Sequence, residues 1–434
     1  MDATEDLRKR LERLGVRLGA QGLRPRPAEP CPGRPGRAAE REPIQDWVSG
    51  RVVETELGPC FLSEIRYPLE HLHGPLPLGA LLADSPLALG ALGAAAGQEL
   101  PGFDRLAFLD TETTGLAGGT GTYAFLVGIG AYHDGEFVVR QYFMRDIPEE
   151  RAMLGLVRAA LAPCRGLVTF NGRAFDWPLL EARFAMNREP PPPAGAWHLD
   201  LLLPARRLWR LRLQSCALSS LEAHVLGVSR SEEDVPGWAI PGLYRDYLAY
   251  GRAEPLRRVF YHNAHDILSL ATLAAILCSS ARQPLQTLQH GEDLFSLARQ
   301  LEARGDLEGA VLLYEQSLRC QLPLRVRRAA MHALSRLHRR AGQCQEAVSL
   351  WQALAERGDL AACVELAKHY EHRTGELEEA RQMTLQALGL LRRLCYPDRR
   401  KLAELEHRLR RLERKLARRR EGEAPAEPPA LTMA

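Results

Sequence analysis

The sequence predicts two architectures in series: an α/β domain on a mixed five-stranded sheet, then an all-α array of repeated helix pairs. Three observations carry that division. Between about residues 100 and 282, three apolar β-forming runs come first, and helical and strand-like runs then alternate. Beyond about 285 every apolar pattern has helical spacing. Within that second part a glycine–alanine signature returns at near-constant intervals.

Composition bounds the rest. With 434 residues, 46% hydrophobic and 26% charged, the chain can bury a full core and more than one domain. A net charge of +3 neither demands nor excludes a polyanionic partner. Nine scattered cysteines with no C-x-x-C pair point to free thiols in a reducing compartment, against a disulfide framework or a cysteine zinc site. No run approaches twenty consecutive apolar residues and the start, MDATEDLRKRLERL, is charged, so a soluble, cytoplasmic protein with no membrane contact is expected.

In chain order, residues 1–44 comprise a short helix over 5–16, with Leu7, Leu11 and Leu14 as its apolar stripe, and a linker, LRPRPAEPCPGRPGRAAEREP, too poor in apolar residues to pack. Residues 45–99 form an embellishment containing a hairpin, RVVETELGPCFLSEI, turning near Gly58. Residues 100–282 form the α/β domain. RLAFLD, YAFLVGIGAY and EFVVRQYFM are its first three strands, with HDG a tight turn between the last two. A helix over EERAMLGLVRAALAPC, a strand GLVTFN, a helix DWPLLEARFAM, a strand WHLDLL and a helical remainder ending at PLRRVFYHNAHDILSLATLAAIL follow.

Residues 286–420 carry the repeats. Gly305, Gly342 and Gly375 lie 37 and 33 residues apart, and Ala310, Ala347 and Ala380 each follow five residues later. These intervals bracket the 34-residue tetratricopeptide period, and small residues at the turn and crossing let paired helices approach closely. The array ends in a basic helix. From Arg392 to Arg420 there are thirteen Lys/Arg against four Asp/Glu, with Leu402, Leu405, Leu409, Leu412 and Leu416 at 3-4-3-4 spacing. Packing against the array with a solvated basic face is the expected role; a nucleic-acid surface or short coiled coil is the alternative. Residues 421–434 read as a disordered tail.

The chemistry gathers at three stretches. In FLDTETTG, Asp110 and Glu112 lie two apart on a strand, on one face and about 7 Å from each other at the backbone, close enough to reach one divalent ion. In FNGRAFDWPLL, the strand delivers Asn171, and Asp176 opens a helix, where a first-turn acid is also favourable without any function. In YHNAHDILSL, helical geometry stacks His262 on Asp266, with His265 and Tyr261 turned away. The glycines of LAGGTGT do not read as a dinucleotide loop, because a strand rather than a helix follows them.

In this order the three stretches resemble the exonuclease motifs of the DEDD superfamily, 3′→5′ exonucleases with a ribonuclease H-like fold. D-x-E matches Asp110 and Glu112, and Asn-x₃-Phe-Asp matches Asn171, Phe175 and Asp176. The third motif matches Asp266, but the family's base is His five residues before that Asp or Tyr four before it, whereas here Tyr261 is at five and His262 at four. Tyr261 and His265 therefore stand as rivals to His262. With the DLLLPARRLW and LSSLEAHVLGV segments and the repeat array, the chain from roughly residue 45 to the end of the array is similar to bacterial YprB-type ribonuclease H-like proteins.

The resemblance implies two Mg²⁺ or Mn²⁺ ions roughly 3.5–4 Å apart, held by Asp110, Glu112, Asp176 and Asp266. It implies His262 as general base, suited by an ordinary imidazole pKa near 6.5. Thr113, Gly115 and Asn171 would hold the 3′-terminal nucleotide of a single-stranded RNA or DNA. Asp200 is a second candidate beside Asp176, and Arg206, Arg207, Arg210 and Arg212 are a candidate polyanion contact. The rival function is a catalytically silent module with the tetratricopeptide-like array docking a protein partner.

Overall fold

The computed structural model describes residues 41–92, 101–115, 121–193, 197–231 and 233–422. The helix over 5–16, most of the linker and the tail beyond residue 422 lie outside the described residues.

Strand β1 (Arg51–Thr55) and β2 (Gly58–Pro68) form the expected hairpin, with Thr55 opposite Gly58. A two-residue ribbon of β3 (Leu72–His73) and β4 (Leu76–Pro77) follows. Then come β5 (Leu106–Thr113), β6 (Ala124–His133), β7 (Glu136–Phe143), β8 (Gly166–Thr169) and β9 (His198–Asp200). Asp134 and Gly135, both at positive φ (50° and 79°), make the tight turn between β6 and β7.

The main sheet has seven strands in the order β1-β2-β7-β6-β5-β8-β9, not five. The hairpin expected as an appendage is part of it, because β2 pairs with β7 along eight residues, Phe61↔Phe143 to Pro68↔Glu136. The β5–β8 and β8–β9 pairs are parallel and the others antiparallel, so the sheet is mixed as the run order predicts.

The helices are α1 (Glu150–Leu161), α2 (Asp176–Met186), α3 (Leu202–Trp209), α4 (Ile240–Tyr250) and α5 (Leu256–Arg282). Alternation along β5 assigns them to faces. Ala107 and Leu109 face a core with Leu154, Leu180, Phe184 and Tyr244, while Leu106 and Phe108 face a second core with Ala264, Ile267 and Leu268 of α5. Helix α5 lies close on β6 because Gly128 and Gly130 carry no side chains. A Cβ on Gly128 would stand 2.2 Å from Asn263 Oδ1, and one on Gly130 2.4 Å from Ile267 Cγ2. Four residues of helix and two of strand both advance about 6–7 Å, so the two elements run in step.

By length and composition alone α5 is apolar enough to cross a membrane, with a mean hydropathy of 1.4 over 18 residues. That window is 83% buried, so its apolar surface is used against the sheet.

The helical part follows as α6 (Gly291–Arg304), α7 (Leu307–Arg319), α8 (Leu324–Arg340), α9 (Cys344–Ala355), α10 (Leu360–His369), α11 (Leu377–Arg392) and α12 (Arg399–Gly422). Gly305, Gly342 and Gly375 adopt φ of 88°, 78° and 74° at the turns within the three helix pairs, a conformation costly for any residue with a Cβ. Ala310, Ala347 and Ala380 are fully buried. The array shares a core with the sheet, since Leu294, Leu297 and Tyr314 belong to the same apolar cluster as Phe108 and Leu273. Helix α12 packs through Leu405, with Leu402 and Leu409 alongside. Arg408, Arg411 and Lys415 on it converge on the buried Glu371 at 2.7–2.9 Å. Packing against the array, with part of its basic charge turned inward, is therefore the role observed for this helix.

Candidate active site

Strand β5 carries Asp110 and Glu112 on the α5 side of the sheet, in phase with Leu106 and Phe108. Its parallel partner β8 pairs only as far as Phe108↔Val168, so both acids lie where the two strands have parted.

Asp110 is held from above. Gly128 is its cross-strand neighbour and Gln141 is Gly128's. Over that row Gln141 Nε2 donates to Asn263 Oδ1 (2.9 Å), and Asn263 Nδ2 donates to Asp110 Oδ2 (2.8 Å). Gln141 and Asn263 are buried, so this relay turns one carboxylate oxygen to a fixed donor.

Asp176 arrives from the loop after β8. Asn171 has φ 64°, and its N–H donates to Asp200 Oδ1 (2.8 Å); Arg173 N–H donates to Asp200 Oδ2 (3.2 Å) and Leu202 N–H to Oδ1 (3.0 Å). Asp200 is thus occupied in shaping that loop and starting α3 and does not replace Asp176. Asp176 accepts from the Thr111 hydroxyl on β5 instead of standing in water on its helix's first turn.

Asp266 and His262 come from α5. His262 Nε2 lies 3.7 Å from Asp266 Oδ2 and 4.0 Å from Glu112 Oε1. Its Nδ1 lies 2.8 Å from Asp234 Oδ1 and 2.9 Å from Arg230 Nη1. Asp234 calls for a proton on that nitrogen and Arg230 for a lone pair, so the two set the tautomer against each other.

The rivals for His262 make other contacts. His265 is buried beside Asp266, with Nδ1 3.4 Å from Glu222 Oε1 and its ring 4.7 Å from that of His73. The Tyr261 hydroxyl is 3.5 Å from the Ser231 N–H, and its ring packs 5.7 Å from His265. The Thr113–Gly115 turn closes on itself: Thr113 Oγ1 donates to the Gly115 carbonyl (2.8 Å), and Thr114 N–H to the Tyr123 carbonyl (2.9 Å).

Electrostatics bind the four acids into one unit. Burial pushes Asp110 well above the usual carboxylate range, and the charges of Asp266 and Asp176 push it further. Burial does the same to Glu112, with Asp110, Asp266 and Asp176 adding to it. Asp176 is raised to about 6 by burial. Asp266 is raised by burial against the opposing charges of His262 and Arg230. Asp110 and Glu112 are both raised by the charges of Asp176 and Asp266 in spite of the nearby Arg230, so a further cation among these acids would ease their ionisation, and an all-oxygen donor set suits a hard divalent ion.

Motif reasoning missed Glu222, Arg230 and Asp234. Glu222, His265 and Asp266 present ligand atoms within 4.8 Å of one another, a metal-like spacing. There the cation is already supplied: Arg230 donates to Glu222 at 2.7 and 2.9 Å and also to Asp266 Oδ1. Glu222 also accepts from the Ser269 hydroxyl (2.6 Å), and although burial opposes it, His265, Arg230 and Ser269 together hold its carboxyl at about 2. Asp234 is the third, facing His262. Glu222 sits in a π-turn, Glu222–Leu226, a feature frequent at functional sites and invisible to motif spacing.

Comparison with known proteins accords with this geometry. A sequence model of the RNase_H superfamily matches residues 107–278, a span holding Asp110, Glu112, Asp176 and Asp266. Members of that superfamily are typically nucleases and generally use divalent metal ions. The chain is also 30% identical over 340 residues, 76% of its own length and 80% of the relative's, to the Bacillus subtilis (strain 168) protein named "Uncharacterized protein YprB". The chain carries a ribonuclease H superfamily domain and belongs to the family of YprB.

Proposed function

We propose that this chain is a metal-dependent 3′→5′ exonuclease of the DEDD type, acting on single-stranded nucleic acid. The observation that supports it most is the convergence of Asp110, Glu112, Asp176 and Asp266 from three separate stretches, with His262 Nε2 directed between Glu112 and Asp266. When bound, two Mg²⁺ or Mn²⁺ ions neutralise the four carboxylates and polarise the phosphodiester. The chain's own residues do the rest. Asn263 holds Asp110 Oδ2 and leaves Oδ1 free as a ligand. His262 takes the proton of the attacking water at Nε2; this role needs the proton on Nδ1, so that the contact to Asp234 prevails over the one from Arg230. The water oxygen bonds to phosphorus as the bond from phosphorus to the penultimate nucleotide's 3′ oxygen breaks. A solvent water protonates that oxygen, His262 returns its proton to solvent, and a nucleoside 5′-monophosphate leaves. Asn171 and the Thr113–Gly115 turn position the terminal nucleotide.

We read the helical part as a tetratricopeptide-like array that docks a protein partner, on the left-handed glycines at 305, 342 and 375 and the buried alanines five residues on. The nuclease reading is tested with 5′-labelled RNA and DNA in Mn²⁺ or Mg²⁺. It expects a ladder shortening from the 3′ end and release of 5′-monophosphates; internal cuts, or no cleavage of any substrate, would contradict it.

A further inference from the structure

The four arginines of α3 and the turn behind it have two different fates. Arg207 Nη1 donates to the Leu92 carbonyl (2.7 Å). Arg212 pairs with the buried Asp293 of α6 at 2.8 Å, fastening the sheet domain to the helical array. Arg206 and Arg210 are exposed, and among the described residues neither side chain has a hydrogen-bond or ion-pair partner. They lie one helical turn apart, so both guanidinium groups leave α3 on the same side, about 6 Å from each other along the axis.

Both line an open cleft of about 740 Å³, together with Phe170, Asn171, Leu202 and Gln214 to Leu218. Among the described residues no carboxylate lines it. Asn171 also belongs to the loop that delivers Asp176, held in left-handed geometry by Asp200. The cleft therefore shares Asn171 with the loop that leads to Asp176, and it carries two positive charges without an ion-pair partner among the described residues.

We propose that this cleft is the track for the strand behind its 3′ end, with Arg206 and Arg210 binding successive backbone phosphates. The geometry favours this over a solvated face. An idle basic face has no need of an acid-free groove, and neutral Gln214 and Ser215, which line the same cleft as the arginines, can donate to phosphate or sugar oxygens. Guanidinium contacts of this kind are independent of sequence and sensitive to salt. The inference takes its ligand class, a phosphodiester strand, from the nuclease reading, but binding is measured without turnover.

The test is fluorescence anisotropy of 5′-labelled 12-nucleotide DNA and RNA in EDTA, against the full-length wild type and Arg206→Ala/Arg210→Ala. Arg410→Ala/Arg414→Ala on α12 serves as a charge-matched control. The proposal expects the first double variant to lose about tenfold affinity per arginine. Its slope of log affinity against log salt should fall by about 1.4, the share of two phosphates on a single strand. The control should stay near wild type. Equal losses in both double variants, or none in the first, would overturn the track. So would a wild type that binds neither strand. Strand binding that depends on Arg206 and Arg210 without any cleavage in Mn²⁺ would instead keep the track and defeat the nuclease reading.

Discussion

Asn263 reaches Asp110 only because Gly128 has no side chain: a Cβ there would stand 2.2 Å from Asn263 Oδ1. The glycine is Asp110's cross-strand neighbour, so the vacancy and the acid it serves share one rung of the sheet. Gly128→Ala should push Asn263 off Asp110 and force α5 outward. A cost of about 1–3 kcal/mol for such overpacking is expected in urea unfolding, together with weaker Mn²⁺ binding by calorimetry. Unchanged Mn²⁺ affinity would show that the relay from Gln141 through Asn263 does not orient Asp110.

His262 and the carboxylates should separate kinetically. His262→Ala removes a proton acceptor and leaves the four acids in place, so cleavage should fall by about 10²–10⁴-fold while Mn²⁺ still binds. Asp234→Asn should cause a smaller fall, because it takes away only the partner of Nδ1. A His262→Ala enzyme as fast as wild type would pass the role of base to another group.

Arg230 is a structural cation by its contacts. Arg230→Met leaves Glu222 buried without its partner, and a loss of about 3–5 kcal/mol in urea unfolding is expected. Adding Glu222→Gln should recover much of it, since the uncompensated charge is then gone. Additive losses in the double variant would refute the coupling.

Glu371 gives the array a pH dependence of definite sign. Burial raises its carboxyl, but bonds from Arg411 and Lys415 outweigh that and hold it at about 2, against an ordinary 4.5. A depressed carboxyl stabilises the fold fully above 4.5, and that stability is lost as pH falls from 4.5 towards 2. Wild type should therefore melt well above Glu371→Gln at pH 7, with the gap closing over that interval. A gap constant with pH would remove the ionic clamp on α12.

What the sequence made legible was local. Alternation put Asp110 and Glu112 on one face of β5, and a four-residue helical step put His262 beside Asp266; both need only the chain's own geometry. The turns at Gly305, Gly342 and Gly375 were legible for the same reason. Contacts between distant segments were not. Nothing local to Asn263 says that it meets Gly128, and Glu222, Arg230 and Asp234 join the site only because a π-turn and the loop after it fold back onto α5. The seven-stranded sheet was missed because a hairpin's outer edge carries no mark of its next neighbour, here β7. Four consecutive-looking arginines likewise gave no sign that two would be tied down and two left free.

The most direct measurement is calorimetric titration of Mn²⁺ into the wild type and Asp110→Asn, each checked for an unchanged far-UV circular dichroism spectrum. The four-carboxylate account predicts saturable binding to the wild type, approaching two ions per chain, and its loss in the variant. Equal binding by both proteins, or none by the wild type, would contradict it.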